Sequence, residues 1–230
     1  MQESFILLLW WILFGGSHML MSAPGWRPKL VARLGEWGFF GVYSLIAIVT
    51  VVPLCMYYGA HKHTGPQLWV TLLPYLIARD VNVLLMGLAF VLFVSGLAAL
   101  TPSSILANTA PQAYGVTRIT RHPVFASFFL FGVAHCLMNG ALSDIVFFGG
   151  FVVYSWLGAW RQDQRKTGEL PGYEEFRLST SFLPFGAIVS QRQPFPLGEL
   201  RWGVIILGMI VFYLVRAFHP TIFGGILMTL

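Results

Sequence analysis

The chain has 230 residues, 57% of them hydrophobic and only 10% charged, with a net charge of +5. A soluble domain carries about 25% charged residues, and no soluble fold of this size hides so much apolar surface, so the bilayer is the solvent. The mean hydropathy of +0.72 agrees, and without a basic stripe the small positive excess gives no sign of a nucleic-acid partner.

In chain order, six spans are expected, so the fold class is all-α: a polytopic transmembrane helical bundle forming one domain over residues 1–230. The first covers Ser4–Met21; it begins almost at once with no preceding positive residue, so it reads as a span and not as a cleaved signal. The second is Trp37–Gly59. The stretch Gln67–Ile77 is apolar but interrupted by Pro74, and reads as an interfacial or re-entrant piece, with a seventh partial span as the alternative. The third span is Val81–Leu100, the fourth Pro123–Met138, the fifth Ala141–Trp160 and the sixth Trp202–Phe218. Several fall slightly short of the ~20 residues a spanning helix needs. Within the long fifth loop, Ser181–Val189 is apolar again and is expected to lie on the membrane or dip into it.

Basic residues set the orientation. The first loop carries Arg27, Lys29 and Arg33, the third Arg118 and Arg121, and the fifth Arg161, Arg165, Lys166, Arg177 and Arg192. The positive-inside rule then puts loops one, three and five in the cytoplasm and both termini outside. Trp37, Trp160 and Trp202 fall at the cytoplasmic interface, as an aromatic belt does. Cys55 and Cys136 both lie in apolar stretches and make neither a disulfide framework nor a zinc motif.

Two histidines lie inside apolar spans, His18 in the first and His135 in the fourth. An ionisable side chain at such depth is costly and needs a partner. One reading has each imidazole bridging two helices by a hydrogen bond. The other is shared ligation. Each histidine lies about 13–14 residues in from the face where its span begins, about 20 Å at 1.5 Å per residue. In a core of ~30 Å the two depths then differ by about 10 Å. Gly15, Gly16 and Ser17 precede His18, and Gly132, Val133 and Ala134 precede His135; such small residues leave room for a flat macrocycle, or let helices pack closely. Histidines on facing helices of a bundle core can hold a haem. Bare zinc fits less well, because a closed site needs four ligands.

Arg118, Arg121 and His122 open the fourth span as Arg-Ile-Thr-Arg-His-Pro. Pro123 suits a first helical turn, and the arginines either snorkel at a membrane-entry cap or bind an anion such as a haem propionate, a cofactor carboxylate or a lipid phosphate. Arg27 and Arg33 are on the same side and join that anion-binding set. His61 and His63 read as a solvated outer loop, and Asp144 and Arg216 carry no assigned role. His219 is either a third haem-side residue or an interfacial histidine.

These pieces together resemble the NnrU family: Phe14-Gly-Gly-Ser-His18, Arg27, Arg33-Leu-Gly35, Arg118 to Pro123, Val133-Ala-His135 with Asn139-Gly140, Asp163, Arg165-Lys166, Thr180 to Ile188, and Phe218 to Gly224. The set covers nearly the whole chain in order. The resemblance implies haem b held by His18 and His135, as in the related plant zeta-carotene isomerases, which carry out a cis–trans isomerisation. It also implies a bacterial inner-membrane protein linked to nitrite and nitric oxide metabolism. The expected function is therefore isomerase- or redox-type chemistry on a lipophilic or small gaseous substrate, in a lipid environment. Two alternatives stand beside it. Arg-His-Pro is also similar to membrane methyltransferases of the isoprenylcysteine type, although Arg161-Gln-Asp-Gln-Arg165 occupies the place of their glutamate pair. The third is a non-enzymatic accessory subunit partnering a respiratory complex that handles nitric oxide.

Overall fold

The computed structural model describes residues 1–99 and 111–224. Those residues form an all-α bundle: α1 (Gln2–Met21), α2 (Arg27–His61), α3 (Tyr75–Ala98), α4 (Val116–Ile119), α5 (Pro123–Met138), α6 (Leu142–Glu169), α7 (Tyr173–Ser179), α8 (Gly186–Val189) and α9 (Trp202–Phe223). Five of these, α1, α2, α3, α6 and α9, are long and apolar enough to cross a membrane, and α5 is a shorter apolar helix. The six expected spans are thus all helices, but their ends move. α2 starts ahead of Trp37, because Gly35 breaks it with a φ of 72° and leaves a short basic segment before the long apolar one; only glycine takes that conformation without strain. α3 starts at Tyr75, with Pro74 as its N-cap and not as a mid-segment break. α6 runs past Trp160 to Glu169. The expected end of the third span at Leu100 lies outside the described residues.

Neighbours in space follow the order α2, α1, α6, α5, α3, α9. Close approach between α5 and α6 needs Gly132, where an added Cβ would stand 2.6 Å from the Phe148 carbonyl oxygen. That glycine therefore serves helix packing, and the space beside it belongs to α6, not to a macrocycle. Outward rows such as Phe5, Leu8, Ile12 on α1 and Leu45, Ile48, Val52, Met56 on α2 are exposed, as a face toward acyl chains is.

Both ends of α5 are covered by the chain itself. At its start, Arg121 N–H donates to the Ser181 carbonyl (2.9 Å), Thr120 Oγ1 to Phe182 (2.6 Å), and Phe185 N–H to Ile119 (2.9 Å). The Ser181–Val189 stretch expected at the membrane is thus stitched onto α4, with Phe182 and Ala187 buried. At its end, the carbonyls of the last turn have no intrahelical partner. Trp69 Nε1–H donates to Cys136 (3.0 Å), Leu72 N–H to Leu137 (3.2 Å) and Leu68 N–H to Gly140 (2.8 Å). The apolar piece after Gln67 therefore lies across α5's C-terminal end.

Candidate functional site

α1 and α6 run in the same direction, with Trp11 against Gly150 and Gly15 against Tyr154, while α5 runs antiparallel to them, with Gly132 against Phe148 and Phe125 against Gly158. His18 and His135 lie near the C-terminal ends of α1 and α5. Helical side chains lean toward the N-terminus of their own helix, so on antiparallel helices the two imidazoles lean toward each other. Each ring is locked the same way. His18 Nδ1–H donates to the Phe14 carbonyl at 2.8 Å, and His135 Nδ1–H to the Phe131 carbonyl at 2.9 Å. That bond fixes the tautomer and turns Nε2, with its lone pair, away from the parent helix.

The rings stay at different levels. His18 packs on Phe14, Tyr43 and Tyr154, and His135 packs on Phe131 and stacks on Phe148 at 4.3 Å. Phe148 and Tyr154 are about six residues apart on α6, about 9 Å of rise, close to the offset expected from span positions. The space between is aromatic: Trp11 touches Phe14, Phe151 and Tyr154, and Phe151 touches Phe131. Trp11 is fixed by a 3.1 Å bond from its Nε1–H to the Phe147 carbonyl. The two histidines thus bracket one layer of rings without touching. Among the described residues no three His, Cys, Asp or Glu side chains are grouped to hold a metal ion.

The basic residues of the expected anion cluster do not converge. Arg118 Nε donates to Glu199 at 2.8 Å and its Nη1 bonds Gln193. This hydrogen bond, followed by one from Gly115 N–H, holds the Glu199 carboxyl below its usual range. Arg121 faces the other way, toward Asp163 of α6, with Nε and Nη2 at 2.9 and 2.7 Å from Oδ2. His122 Nε2–H donates to Asp163 Oδ1 at 2.7 Å, and the Tyr173 hydroxyl donates to the same oxygen at 2.8 Å. His122 and Tyr173 are almost wholly buried. Arg-His-Pro therefore builds a node that ties α5, α6 and α7 together through Asp163, a partner that no spacing in the sequence pointed out. Arg27 pairs with Glu169 at 3.6 Å and lies over the Phe39 ring, whereas Arg33 is exposed.

Asp144, given no role from sequence, is a second node. It is almost fully buried and accepts from Tyr58 Oη (2.9 Å), His63 N–H (3.0 Å) and His63 Nδ1 (2.9 Å). His63 lies in an exposed loop, as expected, and is tied to the start of α6 through the Asp144 carboxylate. His219, near the C-terminal end of α9, packs on Phe223.

Residues 6–226 match the family described as NnrU protein. The chain belongs to the NnrU family. It is 27% identical over 203 residues to 15-cis-zeta-carotene isomerase, chloroplastic, of Zea mays, covering 83% of this chain and 52% of that protein. The Arabidopsis thaliana protein of the same description is 27% identical over 170 residues, covering 71% of this chain and 45% of the relative. The chain thus spans about half the length of the curated relatives it matches. No solved structure matches it.

Proposed function

We propose that this NnrU chain is a haem b protein that isomerises a double bond of a lipophilic, conjugated substrate drawn from the membrane. The observation that carries it is the histidine pair: a buried imidazole, His18, and a half-buried one, His135, on antiparallel helices, each with Nδ1–H held by its own main chain so that Nε2 is left for a ligand. The residues fit the group by their donor chemistry. Haem iron can be held by neutral imidazole nitrogens, and a ligand histidine characteristically donates its other N–H to a backbone carbonyl. The similarity to proteins described as 15-cis-zeta-carotene isomerase supports the reaction class. The same chemistry of ligation also serves a redox role toward a small nitrogen oxide, but no contact in the bundle favours it over the polyene.

His18 and His135 would hold the haem, which supplies an iron centre able to exchange electrons with a bound conjugated chain. The protein's own part is to bind, orient and dry the substrate. Trp11, Phe14, Phe131, Phe148 and Phe151 offer flat apolar faces to a polyene. The stitched loop pieces at both ends of α5 keep water from entering along that helix. Inner-membrane placement, with loops one, three and five in the cytoplasm, belongs to the same reading.

The test is an absorption spectrum of protein expressed with ample haem, oxidised and reduced, for wild type, His18→Ala and His135→Ala. A Soret band in the wild type that shifts or is lost in both variants is expected. A wild type without one removes the haem reading, and unchanged spectra in both variants move ligation to His122 or His219. Chromatography of a 15-cis polyene incubated with the loaded protein then tests the reaction class.

A further inference from the structure

We infer that the carboxylates of the bound tetrapyrrole are held by Arg27, Arg161 and Arg165, in a cleft on the inner side of His18, and not by the Arg-His-Pro arginines. This rests on the haem reading above. A cavity of about 70 Å³ opens where α1, α2, α5 and α6 meet, and its wall includes these three arginines together with Tyr43 and Tyr154. Both tyrosines pack on the His18 ring. The cavity is therefore linked to His18, one proposed haem ligand, through the two tyrosines in its wall. Arg118 and Arg121 are satisfied elsewhere, by Glu199 and Asp163.

Charge in the cleft is left over. Glu169 serves both Arg27, at 3.6 Å, and Arg165, at 2.8 Å. Three guanidiniums against this one carboxylate, with the Lys166 ammonium nearby, leave an excess of positive charge for carboxylates to neutralise. Arg161 is the least satisfied. Its Nη1 donates to Gln164 at 3.1 Å and its guanidinium lies over Trp160, but its buried Nε–H has no hydrogen-bond partner among the described residues. A buried donor left unpaired is costly, and a carboxylate is the acceptor a guanidinium fork fits best. Arg161 and Arg165, at i and i+4, share one face of α6, and Arg27 reaches that face from the start of α2. Apolar walls with a cationic rim at the cytoplasmic boundary match an amphiphile whose ring body lies inward and whose acids lie outward.

Spectroscopic titration of the apoprotein with haem b and, separately, with its dimethyl ester tests this without any turnover assay. The wild type should prefer the diacid by about tenfold or more, as one charge-assisted bond predicts. Arg161→Gln should shrink that preference while binding the ester as the wild type does. Arg33→Gln, at an exposed position, should leave the preference intact. Matching circular dichroism and thermal midpoints of the two apoproteins guard against misfolding, and Arg161→Lys should restore part of the preference. Equal wild-type affinity for acid and ester, or an undiminished preference in Arg161→Gln, overturns the assignment while the haem reading stands. If the wild type binds neither, the haem reading falls and takes this site with it.

Discussion

Asp163→Ala is the sharpest perturbation of the fold around the site. Asp163 accepts from Arg121 through two nitrogens, from His122 and from Tyr173, and its side chain is only 9% exposed, with Arg121 at 13%. Removing the carboxylate leaves a guanidinium and two buried donors without their acceptor. Breaking one side of a buried pair costs about 3–5 kcal/mol; the remaining exposure favours the lower end. In a chain of this size about 3 kcal/mol corresponds to a fall in Tm of about 6–12 °C, read by circular dichroism in detergent. Asp163→Asn keeps acceptors for Tyr173 and His122 but loses the charge, and should fall between. Replacing both partners, as Asp163→Leu with Arg121→Met, should recover part of the loss, because the stranded charge is gone. The haem spectrum of folded Asp163→Ala should match the wild type. A Tm change under about 2 °C would show that apolar contacts alone hold α7 in place. Loss of the spectrum with the fold intact would make the node part of the site.

At Gly150, an added Cβ would stand 2.0 Å from Trp11 Cε2, so Gly150→Ala should destabilise by about 1–3 kcal/mol through overpacking; rescue by Trp11→Leu checks the cause, and an unaltered Tm contradicts the α1–α6 contact. Glu199, acidified by Arg118, contributes its contact fully above its ordinary value of 4.5 and loses it as pH falls through the lowered folded value;. The Tm gap between wild type and Glu199→Gln should therefore be widest near neutrality and close in acid, and a gap constant with pH would remove the charge from the account. Cysteines placed at Arg33 and Lys62 in a cysteine-free background should be labelled by impermeant maleimide from opposite sides of the membrane, Lys62→Cys from outside; same-side labelling reverses the positive-inside argument.

Hydropathy made the six spans legible because a run of apolar residues in lipid has little choice but to form a helix. Their ends were less so. The helical segment before Gly35 is too charged to register as apolar, and α6 outlasts its apolar part because Asp163 and Lys166 are buried against the protein instead of reaching water. His18 and His135 stood out as polar groups at depth. Asp163 and Asp144 did not, because their partners are about 40 and 80 residues away in the chain and no periodicity links them. Arg161 and Arg165 were visible as charge, but read as loop charges they lost the i, i+4 relation that puts them on one wall.

The shortness of α5 has a consequence for the lipid around it. Its 16 residues make about 24 Å of helix, against a hydrocarbon slab of ~30 Å. A helix alone with that mismatch thins the bilayer, snorkels its flanking residues or oligomerises. Here the chain thickens the helix itself, by laying Leu68–Leu72 across one end and Ser181–Phe185 across the other. A protein plug at each end of α5 would let the bilayer keep its own thickness. Trimming either plug would therefore register first as a change in preferred acyl-chain length, before any helix is lost.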